Sequence, residues 1–172
     1  MCQTHPGRRH PCVPSQIAIP RRDSPWPPVL AGGLLAGALD ITYACVFWAV
    51  KADLPPTRIF QSVAAGLLGD ASFEGGAATA ALGLFLHFFI ACMMALTYYL
   101  VSRRWTVLVR HPVPLGITYG ILLYVIMNYI VVPLSAAGGG SRDPTWIAMT
   151  VAVHAFLIGL PIAFFASRAA TR

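Results

Sequence analysis

The sequence predicts an all-α fold: a polytopic membrane four-helix bundle with a short interfacial amphipathic helix between the first two spans. Three observations carry this. Of 172 residues, 57% are hydrophobic and 10% charged, whereas soluble domains are about 25% charged, so a soluble fold could not cover this much apolar surface. Crossing the hydrocarbon core takes ~20 apolar residues, and four such stretches stand at 29–50, 77–101, 114–133 and 145–167. Basic residues collect at alternate ends of those stretches, the pattern that sets membrane topology. The connections are short, so residues 29–168 read as one membrane domain with no room for a separate catalytic one.

Residues 1–28 are rich in Pro and Arg and contain no apolar run long enough for a signal peptide. They read as a disordered cytoplasmic tail, a composition that an over-extended gene start also produces. Trp26 is placed to anchor the headgroup level, and Pro27 and Pro28 sit where a helix accepts proline, at its entry. The first span, VLAGGLLAGALDITYACVFWAV, carries Gly33 and Gly37 four apart, and its only charge is Asp40. A stripe of small residues admits a neighbouring backbone. Asp40, on the edge of that stripe, is expected to face protein, because an acid exposed to lipid at this depth is costly.

In the first connection, TRIFQSVAAGLLG places Ile59, Phe60, Val63, Ala64, Leu67 and Leu68 on one helical face. This predicts the interfacial helix over 57–69, with Thr57 as N-cap and Gly69 as C-cap; a re-entrant half-helix covering the bundle is the sharper alternative. The second span runs through Gly83 and His87 to Tyr98, Tyr99, Arg103 and Arg104. The third opens with Pro112 and Pro114, shows Gly116 and Gly120 four apart, and reaches Asn128 before Pro133. The fourth carries the small-residue run Ala148, Ala152, Ala155, Gly159 and Ala163 beside His154, and Pro161 is expected to kink it. Gly33, Gly37, Gly116, Gly120, Ala155 and Gly159 are the candidate helix-packing positions.

Nine basic residues lie in the N-terminal tail, the second connection and the C-terminus, against Lys51, Arg58 and Arg142 in the other two connections. The expectation is a bacterial inner-membrane protein with both termini, including residues 169–172, in the cytoplasm. The net charge of +6 is spread over span ends rather than gathered on one face, which argues against nucleic acid. The expected partner is the lipid bilayer, with the glycine stripes leaving surface for a second copy or a membrane partner subunit. Cys2, Cys12, Cys45 and Cys92 form no disulfide or zinc spacing and read as small packing residues.

Each span holds one strongly polar residue away from its ends: Asp40, His87, Asn128 and His154. At ~1.5 Å per residue they fall roughly 16, 21, 21 and 20 Å from the cytoplasmic end, in one layer. Ionisable groups at that depth are functional candidates by default. An Asp beside two His suits proton relay or solute handling. The same three groups, His87, His154 and Asp40, suffice for a divalent metal with an open position, and two His on different helices suit a haem; no cofactor is required by any motif. Tyr43, Tyr119, Tyr124 and Tyr129 are placed for packing or interface roles. A structural reading stands beside all of these: the four polar residues as interhelical glue, at ~0.6 kcal/mol each on average. No catalytic motif is present, so the catalytic residues, if this is an enzyme, are unknown from sequence; Gly138 to Ser141 reads as a flexible loop because no strand precedes it.

The segments LHFFIACMMALTYYL and VHAFLIG, with the Arg-rich turn and the Pro-terminated third span between them, resemble small four-pass bacterial inner-membrane proteins, faintly the YagU-like ones. The resemblance covers about residues 77–168. It implies a bacterial inner-membrane location and no particular activity. The reading from sequence is thus an integral membrane protein handling protons or a small solute through the Asp/His/Asn layer. Its alternatives are an accessory subunit held together by that layer, and a metal- or haem-binding protein.

Overall fold

The computed structural model describes residues 24–170; the expected tail lies outside it up to residue 23, as do residues 171 and 172. Four helices are long and apolar enough to cross a membrane. These are α1 (Trp26–Ala52), α3 (Gly76–Arg104), α4 (Pro112–Leu134) and α5 (Pro144–Ala170), with α2 (Pro56–Leu68) between the first two. Among the described residues there is no strand. Proline opens α1, α2, α4 and α5, where its missing N–H costs nothing and its fixed φ suits the first turn. With four spans, both ends of the described chain lie at one end of the bundle, here the terminal end; the first and third connections mark the connection end.

The fourth span is central. α1, α3 and α4 all pack on α5, and α1 also packs on α3. Close approach depends on glycine: a Cβ on Gly33 would lie 2.7 Å from Cys92 Cα, one on Gly159 would lie 2.0 Å from the Gly116 carbonyl oxygen, and one on Gly120 would lie 2.0 Å from that of His154. Ala155 is buried against Gly120. Toward the terminal end the buried side chains are Ala36, Ala95, Tyr98, Ile162, Ala163 and Ala166, and Tyr119 of α4 donates to the Met94 carbonyl of α3 at 2.8 Å. Large apolar side chains such as Leu34, Phe85, Phe89, Ile121 and Phe156 point outward, the arrangement a lipid solvent favours.

α4 and α5 each contain a π turn, at Met127–Val131 and His154–Gly159. Each is followed, two residues after its end, by a proline, Pro133 or Pro161. A helical proline crowds the carbonyl four residues back; those carbonyls, Tyr129 and Leu157, lie inside the two π turns, and the widened turn relieves the clash. The kink expected at Pro161 therefore takes the form of a π turn, and Pro133, expected to end its helix, produces another. The extra residue in the α5 turn rotates the register of its first half. Thr150 and His154 are buried, while Ala148 and Ala152, expected to extend the small-residue face, are exposed.

α2 begins one residue earlier than expected. Pro55 is extended, with ψ 152°, and Pro56 opens the helix, so Thr57 lies inside rather than capping it; a residue preceding proline is driven out of the helical region. Gly69 terminates it with φ +60°. The apolar face of α2 is divided between neighbours: Ile59 and Ala64 are buried in the bundle, while Leu67 and Leu68 stay exposed. α2 packs chiefly on α3, where a Cβ on Gly83 would fall 1.8 Å from the Phe60 carbonyl oxygen. Its Gly66 carbonyl accepts from the Ala136 amide just beyond α4. The helix thus links α3 to the loop after α4.

Candidate functional site

The chain forms a half-open cavity of about 550 Å³ beneath α2, and Asp40, His87, Asn128 and His154 all line it. Its volume lies within the range of small-molecule sites, ~300–1,000 Å³. The glycine contacts dictate this convergence. Gly37, one turn before Asp40, lets Phe88 and Ala91 of α3 close in, which sets His87 beside Asp40. Gly120 admits the His154 backbone and so brings α5 against α4 one turn from Tyr124 and two from Asn128. The π turns then aim the polar groups: His154 heads one and Asn128 lies in the other. Such turns occur frequently at functional sites.

The polar groups share one habit. The His87 Nε2–H donates to the Gly37 carbonyl at 2.9 Å, the His154 Nδ1–H to the Thr150 carbonyl at 3.0 Å, and the Asn128 Nδ2–H to the Tyr124 carbonyl at 3.0 Å. A carbonyl can only accept, so these bonds fix both imidazole tautomers and the amide orientation. What each residue retains is an acceptor, His87 Nδ1, His154 Nε2 and Asn128 Oδ1, and Asn128 keeps its second amide N–H as well. Asp40 lies 3.9 Å from His87 Nε2, with its side chain 24% exposed, and among the described residues no hydrogen-bond donor reaches its carboxylate. The hydroxyls of Ser62 and Ser135, also on the wall, donate to carbonyls of their own helices at 2.7 Å.

Several wall residues were not among the sequence candidates. Trp48 and Trp146 line the connection-end part of the cavity, inside an aromatic group in which Tyr43 stacks on Trp146 at 5.4 Å and Phe47 meets it at 4.9 Å. Tyr43 also hydrogen-bonds the Thr150 hydroxyl at 3.3 Å. Arg58 of α2 reaches the wall with its guanidinium 3.9 Å over the Phe73 ring. The signal for the two tryptophans was present, since both stand near the same end of their spans; Arg58 carried none, because its approach depends on how α2 folds over. Tyr124 packs edge-on to His154 at 5.6 Å, whereas Tyr119 serves the terminal-end core.

Among the described residues no group of three or more His, Cys, Asp or Glu is gathered to hold a metal ion: Asp40 and His87 are neighbours, but His154 does not complete a set with them. For an axial haem pair, the His87 Nε2 would have to leave the Gly37 carbonyl. Cys45 and Cys92 are free thiols on separate helices. Beside the cavity mouth, Lys51 at the end of α1 pairs with Asp143, whose carboxylate also caps α5 through the Trp146 amide at 2.9 Å. The Lys51 hydrogen bond, then the Trp146 amide, hold the Asp143 carboxyl below its ordinary range.

No protein-family model, no curated protein and no solved structure matches this chain.

Proposed function

We propose that this integral membrane protein handles protons or a small solute through the cavity beneath α2, with Asp40 and His87 side by side at its floor. The observation that carries the reading is the convergence of all four mid-span polar residues on one cavity. Among the described residues Asp40 has no hydrogen-bond donor, and His87, Asn128 and His154 each keep an acceptor atom unused. The positive-inside pattern supports placing both termini in the cytoplasm of a bacterium, so that the connection end faces outward. Kinship with small four-pass inner-membrane proteins rests on the two segments in the second and fourth spans.

The test is proton flux into vesicles holding purified protein and an internal pH dye, under an imposed pH gradient. Wild type is expected to dissipate the gradient, and Asp40→Asn and His87→Ala, checked as folded by their melting temperatures, to return the rate to that of empty vesicles. Equal rates in wild type and both variants would remove the reading. The accessory-subunit reading has one observation in its favour: the His87–Gly37 hydrogen bond ties α3 to α1. It expects His87→Ala to lower the melting temperature and nothing else.

A further inference from the structure

Resting on the reading of the cavity as a solute site, the donor and acceptor inventory of its walls points, we infer, to a specific ligand class: an amphiphilic ammonium ion carrying at least one N–H. Three side chains from three different helices, His87, Asn128 and His154, have each turned a donor onto a backbone carbonyl. The groups left on these residues for an occupant are therefore two imidazole lone pairs, the Asn128 amide oxygen with its second N–H, and the Asp40 carboxylate, while the donors Trp48, Trp146 and Arg58 stand elsewhere on the wall. Around Asp40 the acceptors outnumber the donors, so a ligand that binds there by hydrogen bonds brings N–H or O–H groups of its own.

Charge argues in the same direction. A carboxylate in mid-span demands a counter-charge, and among the described residues the ion pairs are Lys51 with Asp143 and the long His87–Asp40 contact. Arg58, the cation on the α2 wall, is stacked on Phe73 and does not reach Asp40. An ammonium at Asp40 supplies both the charge and the N–H donors, and charge-assisted bonds are the strong ones. Most of the remaining wall is apolar or aromatic, Ile41, Met94, Met127, Ile158, Trp48 and Trp146 among it, which suits a hydrocarbon body on the amine. A carboxylate or phosphate would meet Asp40 with like charge, and a neutral alcohol would leave that charge unpaired.

The probe set is phenethylammonium, 2-phenylethanol, hydrocinnamate and tetraphenylphosphonium, bound to the detergent-purified full chain and read by calorimetry and by tryptophan quenching. Phenethylammonium is expected to bind about tenfold or more tighter than the alcohol, the worth of one charge-assisted hydrogen bond, and hydrocinnamate not to bind. Tetraphenylphosphonium, a cation without N–H, is expected to lie well below phenethylammonium. Asp40→Asn and the cavity-filling Met127→Trp are each expected to remove the preference; the second alters no polar group, so it reports even if the first fails to fold. Preference for the carboxylate, equal binding of amine and alcohol, or an Asp40→Asn protein that binds like wild type overturns the ligand class. Should any of these occur while Asp40→Asn still abolishes proton flux, the class alone is wrong. Absence of both flux and binding sinks the cavity reading with it.

Discussion

Asp143 performs two tasks with one carboxylate, accepting from Lys51 and from the Trp146 amide. Both favour its charged form, so its folded pKa is depressed. Stability from the pair is then complete above the ordinary carboxylate range and is lost as pH falls through the lowered folded value. Asparagine is an equally good helix cap, so Asp143→Asn removes the charge while keeping the cap. Melting curves from neutral to acid pH should flatten on the acid side in the variant, and at neutral pH its melting temperature should fall by no more than a few degrees, since the pair is exposed and solvent-screened. A second residue-scale prediction concerns Gly120. Its added methyl would collide with the His154 carbonyl, a backbone atom that cannot swing aside, so Gly120→Ala should destabilise the bundle by about 1–3 kcal/mol, measurable by unfolding in mixed micelles. The glycine pairs were legible because GxxxG spacing is a local signal; which backbone each would meet was not.

Among the elements, α2 decides what kind of site this is. Without it the polar layer would open toward the connection end; with it the layer becomes the floor of a cavity. The contact that holds its far end can be locked: a Cβ on Gly66 lies 3.9 Å from Ser135 Cβ, within the ~3.5–4.5 Å of a relaxed disulfide. With the four native cysteines replaced, Gly66→Cys/Ser135→Cys should cross-link under mild oxidation. Exchange of solute or protons should slow when the link forms and recover with reductant; an unchanged rate would mean that α2 stays in place during function. The π turns mark the limit of sequence reading at this scale. Helical periodicity assumes 3.6 residues per turn, so the extrapolated α5 face named Ala148 and Ala152, whereas the widened turn delivers Thr150 and His154 instead. The prolines were visible, but how the backbone would relieve them depended on packing against Gly116 and Gly120.

For the molecule as a whole, the distribution of charge makes a topological prediction. With the native cysteines replaced, a single cysteine at Ser141 should react with a membrane-impermeant maleimide in intact cells, and one at Thr106 only after permeabilisation. The reverse pattern would invert the orientation and place the mouth beneath α2 in the cytoplasm. Length, hydropathy and proline placement were enough to determine four spans, their order and nearly their ends, because each of these is a sum over neighbouring residues and survives any arrangement in space. The expectation that Asp40, His87, Asn128 and His154 share one layer came in the same way, by counting along helices. What the tertiary structure alone decided is that the four line one cavity, that α2 roofs it, and that His87, Asn128 and His154 each give a donor to a backbone carbonyl. Hydrogen-bond direction and enclosure depend on which groups meet across helices, and an apolar span records that it must be buried in lipid or protein without recording against what.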